Sequence, residues 1–297
     1  MDARFVPAPP DRPRRGPFAP LNPRVDDWQG RRVWVVGASS GIGAALARAL
    51  HARGARVAVS SRRAQALAAL FSPSAPSTPS TPSTPSAPSG PSASAAHAPV
   101  LLPLDVNDAA AVAGACDALR TQWGGIDLVL WVAGTYVPMR AQNFSLDTAR
   151  QILDTNLTSV YGGLSALLPM LIAQRAGGIA LVASVAGYSG LPHALAYGPT
   201  KAALINLAES LYLDLHPLGI GVYLVNPGYV DTPATAVNTY RMPALITAEA
   251  AAEATLAGIG AGRFEVHYPR RFTTWLKLAR MLPYRLYFAL VRRVTGS

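Results

Sequence analysis

A tyrosine and a lysine lie four residues apart in the stretch AYGPTKAAL, and on a helix this spacing places them on one face. Lys201 is one of two lysines in a chain whose other strongly basic residues are arginines. A neighbouring ammonium stabilises a phenolate and moves the pKa of Tyr197 toward neutrality. Such a phenol is a general acid for a carbonyl oxygen, so the pair predicts proton transfer at a carbonyl or an alcohol. The alternative interpretation is an exposed pair on a helix.

Two polar residues earlier in the chain are candidates for the same site. Ser184 ends a predicted strand, where its hydroxyl can donate to a substrate carbonyl at the carboxyl edge of the sheet. Asn156 lies inside a predicted long helix, where asparagine is unfavourable. We expect it to hold a water or a bulged backbone carbonyl, or else to be exposed. His193 is interpreted as a surface or pocket-wall residue, because Tyr197 already provides the titrating group.

Strands and helices alternate along the chain. Short apolar runs that end in turn residues are typical of buried parallel strands. The predicted strands are 32–37, 56–61, 100–106, 126–134, 177–184, 219–225 and the run RFEVHY, and the main predicted helices are 41–54, 147–173, 195–216 and 247–259. This order predicts an α/β domain with a parallel sheet and helices on both faces. Ligands of such sheets bind beyond the carboxyl ends of the strands.

The first predicted strand ends in the loop GASSGIG, with glycines at positions 37, 41 and 43. Glycines allow backbone N–H groups to approach a pyrophosphate at a helix N-terminus, where the helix dipole favours negative charge. Ser39 and Ser40 add hydroxyl donors. Because the loop lies between a strand and a helix, it predicts a dinucleotide site rather than an ordinary glycine turn.

The second predicted strand ends in VAVSSRRAQ, without the carboxylate that would bind a ribose 2′-hydroxyl. Arg62 and Arg63 stand where a 2′-phosphate would lie, so we predict NADP(H), with NAD(H) as the alternative. The two arginines could also be solvated surface residues. Asp105 is predicted to accept from the adenine amino group or to cap the next helix.

A Pro-Gly turn follows the sixth predicted strand. Pro227 and Gly228 are expected to turn the chain over the site, and Thr232 to bond the nicotinamide amide. The alternative is an ordinary turn.

The chain carries a formal net charge of +10 and a single cysteine, Cys116, which we expect to be buried. One cysteine excludes an internal disulfide, and the N-terminus resembles no secretory signal, so we expect a cytoplasmic protein. Pro/Arg-rich residues 1–30 and Ser/Pro/Ala-rich residues 72–99 are predicted to be disordered. The second segment is either a passive insertion or a partner-binding one. No metal site is predicted.

Together these motifs resemble the short-chain dehydrogenase/reductase family over residues 31–268, interrupted at 72–99. The resemblance implies a Rossmann-type, doubly wound sheet of about seven parallel strands in a single domain. It also implies NAD(P)-linked oxidation or reduction of a carbonyl/alcohol pair. Four residues match the family's catalytic tetrad: Asn156, Ser184, Tyr197 and Lys201. Tyr197 would be the acid/base and Ser184 the residue that orients the substrate; Lys201 would lower the tyrosine pKa and hold the ribose, and Asn156 would anchor a relay water.

The predicted cofactor contacts combine the loop, the basic pair and the positions that match the family. They are Gly37, Ser39, Ser40, Gly41, Ile42, Gly43, Arg62, Arg63, Asp105, Ala133, Gly134, Tyr197, Lys201, Pro227, Gly228, Val230 and Thr232. The chain departs from the family where an Asn-Asn-Ala-Gly stretch is usual, since it reads WVAG; Trp131 and Val132 are expected to pack apolarly instead. The resemblance also implies a homo-oligomer, a dimer or tetramer, through the helices 147–173 and 195–216.

Residues 229–247 are expected to form a lid and residues 187–195 to line its other side, as in similar enzymes. Both stretches are poor in charge, which favours an apolar ketone, aldehyde or alcohol as substrate. A catalytically idle NADP(H)-binding scaffold or sensor at a membrane is the alternative function.

Residues 269–297 combine seven basic and no acidic residues with many apolar ones, and Pro283 divides them into two helices. This pattern is typical of an amphipathic segment at an anionic membrane, on the inner face in this case, although packing on the body or on a partner subunit is the alternative. Nucleic-acid binding is not expected, since no recognition module is present.

Overall fold

The computed structural model describes residues 16, 19–72, 97–238, 240 and 242–295. Within these residues the strands are β1 Arg32–Val36, β2 Arg56–Ser61, β3 Val100–Pro103, β4 Leu128–Trp131, β5 Gly178–Val182, β6 Gly221–Pro227 and β7 Glu265–Tyr268. They form one parallel sheet in the order β3-β2-β1-β4-β5-β6-β7. This confirms the predicted seven-stranded, doubly wound Rossmann architecture.

Helices cover both faces of this sheet. They are α1 Gly41–Ala52, α2 Ala64–Ala69, α3 Ala109–Trp123, α4 Leu146–Leu153, α5 Ser159–Gln174, α6 Tyr197–Leu215, α7 Ala248–Gly260, α8 Arg270–Arg280 and α9 Tyr284–Thr295. One apolar core lies between the sheet and the helices α3, α5 and α6, and a second lies between the sheet and the helices α1, α2 and α7. Strands such as LVLW and GIALV are buried along their whole length because both faces are covered.

The direction in which strands are added to the sheet reverses between β1 and β4. The chain builds outward from β1 through β2 to β3, then returns to the other side of β1 for β4. A crevice therefore opens at the carboxyl ends of β1 and β4, which is the place where ligands bind in open α/β sheets. The predicted strands 100–106 and 126–134 end earlier than expected, since their last residues bend over this crevice as loops.

One helical stretch, Leu146–Gln174, is long and apolar enough to cross a membrane by length and composition alone. It comprises α4, a π-helical turn and α5, and its leucines at 164, 167 and 171 pack in the core between sheet and helices. Cys116 on the neighbouring α3 is buried as predicted, and burial raises the pKa of its thiol to about 11.

The prediction of disorder through residue 30 is wrong for residues 19–30. The buried Asn22 side chain donates to the carbonyl of Val222 at 2.7 Å and accepts from the N–H of Val222 at 3.0 Å, at the start of β6. Trp28 packs into the core between β1 and α1. These bonds offset the ordering entropy of a segment whose proline and arginine content indicated disorder. Residues 1–15, 17, 18 and most of the predicted insertion, 73–96, lie outside the described residues.

Candidate active site

Tyr197 and Lys201 lie on the first turns of α6, at the carboxyl edge of the sheet. The Lys201 Nζ atom is 5.5 Å from the centre of the Tyr197 ring and donates to the carbonyl of Val182, at the end of β5, over 3.0 Å. Lys201 is buried, and Tyr197 is half-buried. The exposed-pair interpretation is therefore wrong.

Burial controls the protonation of both side chains. It raises the pKa of Tyr197 to about 12, and hydrogen bonding with Ser184 lowers this pKa only in part. Burial also lowers the pKa of Lys201 to about 8. The prediction that Lys201 brings the tyrosine pKa toward neutrality is wrong for the chain alone, because desolvation of the phenolate outweighs an ammonium that bonds to Val182.

Ser184 follows β5 and faces Tyr197. Its Oγ accepts from the N–H of Ala186 at 3.1 Å and lies 3.5 Å from the carbonyl of Pro227 at the end of β6. The hydroxyl is held between two strand ends and also interacts with the phenol of Tyr197. Hydroxyl, phenol and ammonium thus converge at one edge of the sheet.

Asn156 stands behind this group, in the π-helical turn Asp154–Thr158 that joins α4 to α5. Its buried amide accepts from the N–H of Thr135 at 2.7 Å, and donates to the carbonyl of Thr135 at 2.9 Å and to the Oγ of Thr200 at 3.2 Å. Asn156 therefore ties the loop after β4 to α6, as expected for an asparagine that holds a backbone carbonyl. The alternative of an exposed asparagine is wrong.

The glycine loop is shaped by close backbone contacts. Gly37 has φ +95°, and a Cβ there would lie 2.5 Å from the amide nitrogen of Ala133. A Cβ at Gly43 would lie 2.1 Å from the carbonyl oxygen of Gly37. Ser40 precedes α1 and makes no side-chain capping bond, so the first N–H groups of α1 have no side-chain cap. Such a helix start fits a pyrophosphate.

The basic pair lies beside this loop. The Arg63 guanidinium donates to the hydroxyls of Ser39 and Ser40 at 2.9 and 3.0 Å, while Arg62 is 3.9 Å from the carboxylate of Asp105. Asp105 does not cap α3, because Asp108 does so by accepting from two backbone N–H groups. The helix-cap interpretation of Asp105 is thus wrong.

One cavity of about 1090 Å³ connects the loop, the basic pair and the catalytic candidates. All of the predicted cofactor contacts line it, together with Ser184, whereas Asn156 does not. The roles of these residues in binding stay predictions. Gly134 lies where a side chain would press on Asn156 and touch the Lys201 ammonium, which explains a glycine at this point of the cavity wall.

The departure WVAG packs apolarly, as expected. Trp131 is buried against Gly163 of α5, where an added Cβ would lie 2.2 Å from the indole ring. Val132 packs against the cores on the α1 and α7 side of the sheet. The Trp131 ring therefore takes up space that only a glycine on α5 leaves open.

Aromatic rings form the substrate side of the cavity. The ring of Tyr136 lies edge-on to Tyr197, with ring centres 4.9 Å apart, and Tyr240 of the predicted lid stacks on His193 at 5.9 Å. Burial raises the pKa of Tyr136, as does hydrogen bonding with Tyr240, so this phenol stays neutral. His193 is a wall residue, as predicted. Tyr229 lies in the predicted lid segment, whereas sequence reasoning missed Tyr136, in the loop that follows β4.

The C-terminal helices α8 and α9 complete the cavity wall. They contribute residues at helical spacing: Phe272, Trp275, Leu276, Ala279, Tyr287, Leu290, Val291, Val294 and Thr295. The buried Tyr287 hydroxyl donates to the carbonyl of Gly190 at 2.7 Å, which fastens α9 to the loop opposite the lid. The sequence left open whether residues 269–297 lie on a membrane, on the body of the protein or on a partner subunit. The cavity-facing side of α8 and α9 packs on the body.

A polar cluster fastens α8 to the sheet. The carboxylate of Glu265 on β7 pairs with Lys277, the second lysine, and accepts from the Tyr188 hydroxyl at 2.6 Å and the Asn226 amide at 2.8 Å. Burial raises the pKa of Glu265, but these hydrogen bonds outweigh burial and hold the pKa below its usual range. Without its anion, Lys277 would be a partly buried, uncompensated charge.

Glu265→Gln is expected to lower the free energy of unfolding by about 1–2 kcal/mol, since charge-assisted bonds to a half-buried carboxylate are lost. Trypsin should also cleave within residues 269–295 faster than in the parent protein. Denaturant unfolding and timed proteolysis measure the two effects. The matched control is Glu253→Gln, which removes an exposed pair with Arg53 and should change stability by less than about 0.5 kcal/mol. Equal effects of the two changes would contradict the assignment.

The sequence of this chain matches a known protein family over most of its length. The short chain dehydrogenase family model matches residues 31–75 and 92–242. The chain belongs to the short-chain dehydrogenase/reductase family. It is therefore an NAD(P)-dependent oxidoreductase.

Individual relatives agree with this assignment. An "Uncharacterized oxidoreductase" of Myxococcus xanthus is 35% identical over 264 residues, which is 89% of this chain and 97% of the relative. Dehydrogenase/reductase SDR family member 7B of Bos taurus is 30% identical over 67% of this chain, and the match spans only 58% of that relative. A short chain dehydrogenase of Burkholderia cenocepacia, solved in complex with NADP, shares the fold with a TM-score of 0.71 at 23% identity, over 89% of this chain and 98% of that chain.

Proposed function

We propose that this short-chain dehydrogenase/reductase is an NADP(H)-dependent reductase of apolar ketones or aldehydes, which also oxidises the matching alcohols. The single observation that carries the proposal is the convergence of Ser184, Tyr197 and Lys201 at a cavity continuous with the glycine loop. The loop fits a dinucleotide because its helix start lacks a side-chain cap and its glycines admit close backbone approach.

The bound dinucleotide would supply or accept the hydride at the carbonyl carbon. In the direction of reduction, the Ser184 hydroxyl donates a hydrogen bond to the carbonyl oxygen and orients it. The Tyr197 hydroxyl gives its proton to the same oxygen, so the products are an alcohol and a tyrosinate. The Lys201 ammonium, 5.5 Å from the ring, stabilises that tyrosinate, and Asn156 holds α6 in place through Thr200.

The protonation of the site supports the direction of reduction. With its pKa raised to about 12 by burial, Tyr197 carries its proton at neutral pH, which is the state that donates. Lys201, with a pKa lowered to about 8, is still mainly an ammonium at pH 7. Alcohol oxidation needs the tyrosinate instead, so we propose that it is favoured only at alkaline pH.

Apolar substrates fit the substrate side of the cavity. Tyr136 packs edge-on against Tyr197, and Tyr229 and Tyr240, which lie edge-on to each other, line the same cavity. The inner faces of α8 and α9 add mainly apolar side chains. NADPH oxidation should be followed with long-chain aldehydes and aryl ketones, and with short hydroxylated aldehydes of equal reactivity as the comparison. Turnover should be confined to the apolar set. NADPH binding without turnover of any carbonyl would refute the proposal in favour of an idle scaffold or sensor.

The basic pair supports NADP(H) over NAD(H). Arg63 already lies against Ser39 and Ser40 of the loop, and Arg62 is largely exposed near Asp105, so both can turn toward a 2′-phosphate. Replacing both by alanine should raise the KM for NADPH about a hundredfold, since charge-assisted bonds are lost, and should leave the KM for NADH nearly unchanged.

Steady-state kinetics with both cofactors measures this selectivity. The matched control is Arg150→Ala, because Arg150 is exposed on α4 and does not line the cavity. Parallel losses for NADPH and NADH would contradict a phosphate-reading role. The predicted dimer or tetramer stays a prediction, supported by exposed Tyr161 and Ile172 on α5 and Leu213 on α6.

A further inference from the structure

The outward faces of α8 and α9 expose an unusual amount of apolar surface. Nine large apolar side chains are exposed within this short stretch: Trp275, Leu278, Met281, Leu282, Tyr284, Leu286, Phe288, Leu290 and Val294. The rings of Tyr284 and Phe288 stack with their centres 5.7 Å apart, one helical turn from each other. The inner faces of α8 and α9 line the cavity. The nine exposed side chains form a second surface that faces outward, which we call the tail surface. Soluble proteins seldom leave such a patch uncovered.

Positive charge surrounds this patch. Arg270, Arg271, Arg280, Arg285, Arg292 and Arg293 are all exposed, and residues 269–297 contain no acidic side chain. Within the described residues, none of these six arginines has a carboxylate partner within 4.0 Å. Lys277, by contrast, is already paired with Glu265 inside the protein. The tail surface therefore presents apolar side chains and unneutralised cations together.

The mouth of the cavity lies within the tail surface. Trp275, Leu290 and Val294 line the cavity and are also 73%, 40% and 72% exposed. A side chain can do both only at a rim. An apolar molecule that enters here passes from the tail surface to the aromatic wall around Tyr197.

We propose that the tail surface docks on an anionic lipid membrane, with the cavity mouth held against the lipid. Aromatic and aliphatic side chains enter the headgroup boundary, while the arginines remain at its anionic surface. A second copy of this chain fits poorly, because six unneutralised arginines would face six others across a symmetric contact. Nucleic acid fits poorly as well, since it offers nothing to cover the aliphatic side chains at 278, 281 and 286.

Docking would deliver substrate directly from the bilayer, and this consequence rests on the proposed reductase function. A lipophilic carbonyl compound is concentrated in the membrane, so a mouth that opens into the lipid avoids transfer through water. The substrate class is then a membrane-dissolved ketone or aldehyde. The docking itself depends only on the tail surface and is tested without turnover.

The test is flotation of the full-length protein with vesicles of phosphatidylcholine alone and with equimolar phosphatidylcholine and phosphatidylglycerol. The protein should float with the anionic vesicles, float much less with the neutral ones, and be partly released by high salt. Recovery in the soluble fraction with both kinds of vesicle would overturn the proposal.

Two matched sets of substitutions assign the binding to the tail surface. Arg285, Arg292 and Arg293 changed together to glutamine should lower partitioning onto anionic vesicles about a hundredfold. The control removes the same charge at the opposite edge of the sheet, with Arg31, Arg120 and Arg175 changed to glutamine, and should bind like the parent protein. Equal loss in both sets would indicate unspecific charge attraction and refute the docking surface.

Apolar contact is tested separately. Met281→Ser and Phe288→Ser together should weaken binding to anionic vesicles at least tenfold, because both side chains are exposed on the tail surface and neither lines the cavity. The melting temperature and the turnover of a small aryl ketone in the absence of vesicles should stay near those of the parent protein. If the same pair of changes instead splits an oligomer in light scattering and leaves flotation unchanged, the surface is a contact between copies and the proposal fails. Absence of carbonyl turnover in the parent protein, together with intact flotation, would refute the reductase function alone.

Discussion

Tyr197→Phe should lower the rate of NADPH-dependent carbonyl reduction by roughly 10²–10⁴-fold and leave NADPH binding nearly unchanged. In the proposed mechanism the phenol gives its proton to the carbonyl oxygen, whereas the ring packs edge-on against Tyr136. Phenylalanine keeps this packing and loses the proton. Single-turnover kinetics measures the chemical step, and the change in NADPH fluorescence on binding measures the affinity.

The matched control for this change is Tyr223→Phe. Burial raises the pKa of Tyr223 to about 12 as well, but its hydroxyl donates to the carbonyl of Pro23 at the opposite edge of the sheet. Its loss should reduce stability slightly and leave the chemical step unchanged. Equal activity of the parent protein and Tyr197→Phe would show that Tyr197 is not the general acid and would contradict the proposed function.

Much of the fold, and the convergence of Ser184, Tyr197 and Lys201, could be predicted from the sequence, because both depend on local patterns. Apolar runs such as IALV, each followed by a helix, permit little other than a parallel sheet with helices on both faces. Ser184 and Tyr197 follow strand and helix boundaries that those patterns locate. Parallel strands bring their carboxyl ends to one edge, so the convergence of these side chains follows from the topology.

Features that depend on contacts between residues far apart in the sequence could not be predicted from it. The Pro/Arg-rich composition around residue 20 indicated disorder, whereas the Asn22 amide bonds to the backbone of β6, two hundred residues away in sequence. The segment 269–297 is amphipathic, but its sequence does not say which face meets the protein. Only the fold brings Glu265 to Lys277, and only the fold shows that Phe272 and Leu276 of α8 line the cavity.

The pKa of Tyr197 was predicted in the wrong direction for a related reason. Spacing places an ammonium near the phenol, but spacing does not report how deeply either group is buried. In the structure, desolvation raises the pKa of the tyrosine and lowers that of the lysine. The two lysines of the chain thus differ in kind: Lys277 has an anionic partner, whereas Lys201 donates to the carbonyl oxygen of Val182 and lies over the Tyr197 ring.

Lys201→Met should therefore stabilise the chain without added nicotinamide while it lowers turnover by roughly 10²-fold or more. Burial shifts the lysine pKa from 10.5 to about 8, which costs about 3 kcal/mol of folding free energy at neutral pH. Loss of the hydrogen bond to the carbonyl of Val182 lowers the free energy of unfolding by about 1–2 kcal/mol. We expect a net gain of about 1–2 kcal/mol and a rise of a few degrees in the melting temperature.

The pH dependence of this gain tests its cause. Because the pKa of Lys201 is lower in the folded chain, the unfolded chain binds more protons between pH 8 and 10.5, so the parent protein gains stability as pH rises through this window. The advantage of Lys201→Met should be full below pH 8 and should shrink toward pH 10.5. The control Lys277→Met should instead destabilise the chain, because it leaves Glu265 without its cation. Destabilisation of similar size by both changes would show that Lys201 is a structural residue like Lys277, and would contradict a buried charge kept for catalysis.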